Sequence, residues 1–300
     1  MTTTARSGTI NHSLSGQKKK NPKRGGPWRA VFWIALVVFL GSLIALGVIV
    51  FSYFQGQSTY KDIAESAVED FDGKSLEDMT VDWDTLLAQN PDTVGWVYIP
   101  DTVVNYPIVH TTDDEKYLTV DFLGGKGEIT TFGTIFLSAA NSSDFSDANN
   151  IVYGHHMNDG SMFAVVDEMR DSTIFNQHRD VYILTPHGNY RLQSFSLVIC
   201  DANDPLAQTS FASPEEQTAY VQDKIDRSVA TPDSGTVTAS EVEKIFAFVT
   251  CDYTINDGRA VLFASVVEST DPSVAGSAST DSMVNPDDIM YIEDAAKEIK

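Results

Sequence analysis

Three hundred residues, 42% of them apolar, suffice for one good-sized domain with extras or for two small ones, so the chain reads as globular. It carries 42 acidic against 20 basic residues, a net charge of −22, and seven of the basic ones fall in residues 1–30, where there is no acid. Residues 31–300 keep 13 basic against 42 acidic side chains, a net −29; that speaks against nucleic acid or anionic lipid as a partner of this part and leaves neutral or basic ones.

Residues 1–27, rich in Thr, Ser, Gly, Lys and Arg, have little to bury and read as a disordered basic tail. Residues 28–54 read as a transmembrane signal anchor. No charge interrupts the chain between Arg29 and Lys61, and AVFWIALVVFLGSLIALGVIVFSYF (30–54) exceeds the roughly 20 apolar residues that cross a bilayer. Trp28, Phe32 and Trp33 at one end and Phe51, Tyr53 and Phe54 at the other suit the headgroup level. A cleaved signal peptide would have an apolar run of about 7–15 residues and a small-residue cleavage site; VFSYFQGQS offers none. The basic flank stays inside, so the expectation is a single-pass cell-membrane protein with a cytoplasmic N-terminus and an extracellular domain.

Residues 55–90 suggest a juxtamembrane helical segment. YKDIAESAVEDFDG sets Tyr60, Ile63, Val68 and Phe71 among acids and ends at Gly73, and VDWDTLLAQ is stopped by Asn90-Pro91. Residues 91–268 are β-rich: VGWVYI, VNYPIVH, GTIFLSA, NNIVYGH, DVYILT, YRLQSFSLVIC, KIFAFVTC and RAVLFASVVES are short apolar or alternating runs between turn residues, with a turn at Pro186-His187-Gly188-Asn189. Two helices interrupt them. SMFAVVDEMR spaces Met162, Val165, Val166 and Met169 on one face, and SPEEQTAYVQDKIDRSV begins with Ser213 as N-cap, Pro214 at the first position and Glu216 completing a capping box. The pattern fits a sandwich or a closed barrel equally. Residues 269–300 read as a flexible acidic tail with a terminal helix over 287–299.

Nucleophilic cysteine chemistry needs a thiolate, a proton partner and a group for the oxyanion. The two cysteines, Cys200 and Cys251, both end apolar strands, and they can pair as a disulfide or leave one as a working thiol. Of six histidines only His155 and His156 stand out: they follow a strand and Gly154 and open a polar loop, against the plain reading of a solvated His-His. Adjacent histidines on extended chain face opposite ways, and neither HExxH nor CxxC occurs, so the metal reading is weak. Beyond the span the arginines are Arg170, Arg179, Arg191, Arg227 and Arg259, with Arg170 and Arg227 on helices where a solvated face is the default. Arg259 heads the strand after the one ending in Cys251, so the turn CDYTINDGR brings thiol and guanidinium to one end of a sheet. The alternative is an edge arginine that covers the strand.

Taken together these segments resemble the sortases, membrane-anchored cysteine transpeptidases of Gram-positive cell surfaces. VTC (249–251) is similar to the end of their T-L-x-T-C signature, YGHHM (153–157) to their catalytic-histidine segment, and Arg259 stands where they carry an essential arginine. NPDTVGWVYIPDTVVNYPIV (90–109), GTIFLSA (133–139) and the helix at 214–228 resemble class B, while Ala247 and Phe248 replace the signature's Thr and Leu. The resemblance implies a mainly β fold, a closed sortase-type barrel with peripheral helices behind one transmembrane helix. It implies Cys251 as nucleophile, His155 as general acid/base by the family's Gly-His order with His156 as rival, and Arg259 on the substrate or oxyanion. No cofactor or metal is called for. The implied partners are surface proteins bearing NPxTx- or LPxTG-like sorting signals and an amine of a peptidoglycan precursor or a pilin. A pilin-polymerising enzyme, a cysteine hydrolase, and a non-catalytic binding module with a Cys200–Cys251 disulfide are the alternatives.

Overall fold

The computed structural model describes residues 2, 26–126, 132–201, 204, 208–252 and 257–272, and the chain divides into two compact units, 1–48 and 49–300. Helix α1 runs Pro27–Ala67 and is shared between them. Its stretch in the first unit exposes Phe32, Trp33, Val37 and Ile44, and the helix is long and apolar enough to cross a membrane. Residues 3–25, most of the expected basic tail, lie outside the described residues.

In the second unit α1 turns amphipathic: Tyr60, Ile63 and Ala67, three and four residues apart, are buried. The separate helix expected over 60–73 is therefore the end of α1. Beyond Ala67, Val68 pairs with Val81, Phe71 packs on Tyr98 at 5.3 Å between ring centroids, and Gly73 takes φ +71° in a turn. Helix α2 (Trp83–Gln89) forms where the sequence predicts it, with Asp82 accepting from the Thr85 N–H at 3.0 Å.

The strands are β1 (Thr93–Tyr98), β2 (Asn105–His110), β3 (Ile135–Leu137), β4 (Asn149–Tyr153), β5 (Asp180–Thr185), β6 (Gly188–Asp201), β7 (Ile245–Asp252) and β8 (Gly258–Ser269). They close a barrel in the order β1-β2-β3-β4-β7-β8-β6-β5. Pairing of β1 with β5, Trp96 opposite Leu184, decides between sandwich and barrel and leaves the sheet without a free edge. The pairs β2/β3 and β4/β7 are parallel. The helices α3 (Lys116–Thr119), α4 (Ala164–Glu168), α5 (Ser172–Gln177) and α6 (Pro214–Asp226) lie in the connections between strands.

Strand β7 shows why its sequence is apolar without alternation. Phe246 and Phe248 join the large core cluster with Trp96 and Tyr190, whereas Ile245, Ala247 and Val249 join a second cluster with Val221 of α6. Both faces are covered, so both demand apolar side chains. Helix α6 starts as its sequence dictates, Ser213 accepting from the Glu216 N–H at 3.3 Å, but the Glu216 carboxylate takes the Ala212 N–H at 2.7 Å rather than that of the cap residue itself. Strand β8 runs to Ser269, and the next residues stay on the barrel: the Thr270 N–H donates to the Asn189 carbonyl at 2.9 Å and the Tyr190 hydroxyl to the Asp271 carboxylate. Residues 273–300, with the helix expected over 287–299, lie outside the described residues.

Candidate active site

Cys251 is the penultimate residue of β7 and pairs with Arg259, the second residue of β8. On the other edge of β8 the same arginine pairs with Cys200, the penultimate residue of β6. Directly opposed residues share a face. Cys251, Arg259 and Cys200 thus form one row across three strands, on the face where Ile245, Ala247 and Val249 pack under α6. The disulfide of the alternative reading is corrected by this register. Both cysteines are free. Two strand spacings put their Cα atoms about 9.5 Å apart, beyond the roughly 7 Å that a disulfide spans.

The two thiols differ in surroundings. Cys200 is 6% exposed; burial, seconded by the Asp204 carboxylate and opposed by Arg227 and Lys224, pushes its thiol up to about 11. Cys251 remains half-buried.

The parallel register of β4 on β7 sets Tyr153 beside Val249, and the Gly154 N–H donates to the Val249 carbonyl at 3.0 Å. Two residues further along both chains stand His155 and Cys251. Gly154 is needed for packing, since a Cβ there would fall 2.5 Å from both Ile135 and Phe163. The doubled histidine divides its work. His155 Nε2 lies 2.7 Å from the Leu118 carbonyl, so in this pairing Nε2 carries the proton. His156 Nδ1 lies 3.0 Å from the carbonyl of Cys251 and 3.5 Å from the Asp167 carboxylate.

An ion cluster around one buried carboxylate underlies the end of β7. Asp252, its side chain fully buried, pairs with Arg170 at 3.1 Å, and Arg170 also binds Asp167. Burial alone would lower the Arg170 pKa, but the two carboxylates carry it above its ordinary value. The sequence had set Arg170 on a solvated helix face; it follows α4 and joins Asp167 to Asp252 instead. The Asp167-x-x-Arg170 spacing was a readable signal. Nothing in the sequence tied either residue to Asp252.

Arg259 is half-buried and folds over its own turn, its Nη1 donating to the carbonyls of Gly258 at 2.8 Å and Asp257 at 3.3 Å. Tyr153 senses it: burial raises the phenol above its ordinary pKa, Asp114 adds to the rise, and Arg259 opposes it. Among the described residues no group of three His, Cys, Asp or Glu side chains is arranged to hold a metal ion. A cysteine, an arginine and a histidine at one barrel end can supply the nucleophile, oxyanion group and proton partner of a thiol-based acyl transfer.

No family model matches the chain. It is similar to sortase B of Listeria monocytogenes, 30% identical over 231 residues that cover 71% of this chain and 90% of the relative. It is similar also to sortase B of Staphylococcus aureus, 25% identical over 236 residues covering 75% and 94% of the two. A solved structure of Bacillus anthracis sortase B superposes with a TM-score of 0.60 at 31% identity, over 73% of this chain and 99% of that one. With the relatives covered almost end to end and the closed eight-stranded barrel in common, the chain belongs to the sortase B family of cysteine transpeptidases.

Proposed function

We propose that the protein is a membrane-anchored transpeptidase that cleaves a C-terminal sorting signal of the NPxTx or LPxTG kind after its Thr and passes the protein to an amine of a cell-wall precursor. Cys251, as thiolate, attacks the threonine carbonyl carbon and forms a C–S bond. Arg259 hydrogen-bonds the oxyanion. Collapse expels the downstream amine, which takes a proton from the His155 imidazolium and leaves a thioester. His155 then takes a proton from the incoming amine, whose attack breaks the C–S bond and returns the thiolate.

The observation that carries this reading is the Cys251–Arg259 pair, with His155 two residues past the end of β4, the strand that pairs with β7 in parallel. His156 fits a different part. Its ring is 18% exposed and its Nδ1 is engaged by the Cys251 carbonyl and Asp167, which suits a brace for the nucleophile's backbone. His155, with Nε2 on Leu118, keeps Nδ1 for proton exchange. The apolar stretch of α1 supports anchoring, and the basic residues before it support an extracellular barrel. Substrates tethered to the same membrane would meet the enzyme at raised effective concentration.

The test is transfer itself. Full-length protein is incubated with sorting-signal peptides and either a glycine-type amine or a pilin domain, and the expected product joins the peptide through its Thr to the small amine. Transfer to pilin lysine alone would reassign the acceptor, and release to water without amine dependence would make the protein a hydrolase.

A further inference from the structure

Within the second unit, one face of α1 grips the segment that abuts His155. Tyr60, 3% exposed, donates its hydroxyl to the Gly133 carbonyl and lies 3.3 Å from Thr134 Oγ1, and its oxygen accepts the Phe122 N–H at 3.3 Å. One turn earlier Gly56 leaves no room for a Cβ against the Phe132 ring, and a turn before that Tyr53 meets the same ring edge-on at 5.9 Å. Three successive turns of the helix thus hold Phe132, Gly133 and Thr134.

That tripeptide is the wall behind the histidine. Gly133 has φ +58°, and a Cβ on it would lie 2.9 Å from Cδ2 and 3.1 Å from Nε2 of His155. The Thr134 N–H donates to the Tyr117 carbonyl at 3.0 Å, one residue before Leu118, whose carbonyl accepts from His155 Nε2 at 2.7 Å. Of the two surfaces that fix the imidazole, the Gly133 backbone is one hydrogen bond from Tyr60, and the Leu118 carbonyl is two hydrogen bonds and one residue away, through Thr134 and Tyr117.

We propose that Tyr60 is a positioning residue for His155, through which the end of the apolar helix sets the orientation of the imidazole. The kinetic consequence rests on His155 being the acid/base; the structural one does not. Packing alone would need only the ring of Tyr60, which meets Tyr106 at 5.5 Å, and Tyr60→Phe keeps that ring while removing the hydroxyl.

The test uses full-length protein in detergent micelles, with Tyr190→Phe as control because that hydroxyl bonds Asp271 instead. In Tyr60→Phe, kcat for peptide transfer is expected to fall about tenfold with KM held within about twofold, the scale of one lost positioning hydrogen bond. The ¹⁵N side-chain resonances of His155 are expected to shift in Tyr60→Phe and to stay put in Tyr190→Phe. Unchanged His155 resonances, or a raised KM at constant kcat, would overturn the proposal. Shifted resonances with unchanged kcat would uphold the positioning and remove His155 from the reaction. If Tyr60→Phe melts early, Gly56→Ala presses on the same tripeptide through Phe132, and the same shift is expected; its absence counts against the proposal.

Discussion

Cys200 and Cys251 hold matching places in the barrel, each one residue from the end of its strand and each opposite Arg259. Around Cys200 the chain builds a lid: the thiol joins the cluster with Val198, Val249 and Val221 of α6, Asp204 adds negative charge, and the proton is held to about 11. Cys251 lies outside that cluster and is half-buried, its carbonyl on His156 and its strand paired with the one that leads to His155. An arginine across the strand does not by itself make a nucleophile. Cover and the negative charge of Asp204 hold the proton on Cys200.

Removing each thiol in turn should separate the two cysteines most strongly. Cys251→Ala should reduce peptide transfer by about 10⁴-fold or more, the scale of losing a covalent nucleophile, whereas Cys200→Ala should retain activity within about twofold. Equal losses in a transfer assay would mean the two thiols act together. Next in size, Arg259→Ala should lower kcat/KM by about 10²–10³, and Arg259→Lys should recover only part, because lysine lacks the planar fork. Full recovery by lysine would show that charge alone suffices.

The Cys251 end also depends on its buried ion pairs. Arg170→Ala removes the guanidinium from Asp252, whose side chain is fully buried. A loss of about 3 kcal/mol is expected in urea unfolding, at the low end of the range for broken buried pairs because Arg170 itself is 35% exposed. A change under about 0.5 kcal/mol, the size of an ordinary surface substitution, would mean that Asp252 is satisfied by other means.

The smallest effect separates the thiols by pH. Cys200 is raised in the folded state to about 11 from an ordinary 9.0, so between these values the folded chain holds a proton that the unfolded chain has lost. Its contribution to stability is complete below pH 9 and is lost as pH rises through 11. Urea midpoints should therefore fall more steeply with pH over 9–11 in the parent than in Cys200→Ala. Parallel slopes would contradict a buried, protonated Cys200.

Much of the candidate site was legible because its parts are local. Cys251 near the end of one strand and Arg259 near the start of the next pair in a register that follows from their closeness in the chain, and the alternating or continuous apolar runs marked every strand of the barrel. What escaped was long-range. Closure of β1 on β5 has no local signal, nor does the meeting of Arg170 with Asp252. The extent of α1 was missed because its pattern changes from uniformly apolar to amphipathic partway, and the amphipathic part looked like a separate helix. The split between His155 and His156 depends on carbonyls of Leu118 and Cys251, backbone groups that no residue pattern advertises.

Whether Cys251 carries the acyl group is read most directly by intact-mass and peptide-mapping spectrometry of the full-length protein after incubation with a sorting-signal peptide and quenching in acid. One acyl adduct is expected, ending at the signal's Thr, in thioester linkage to Cys251, with Cys200 unmodified. An adduct on Cys200, or turnover of the peptide with no cysteine adduct trapped under any quench, would contradict it.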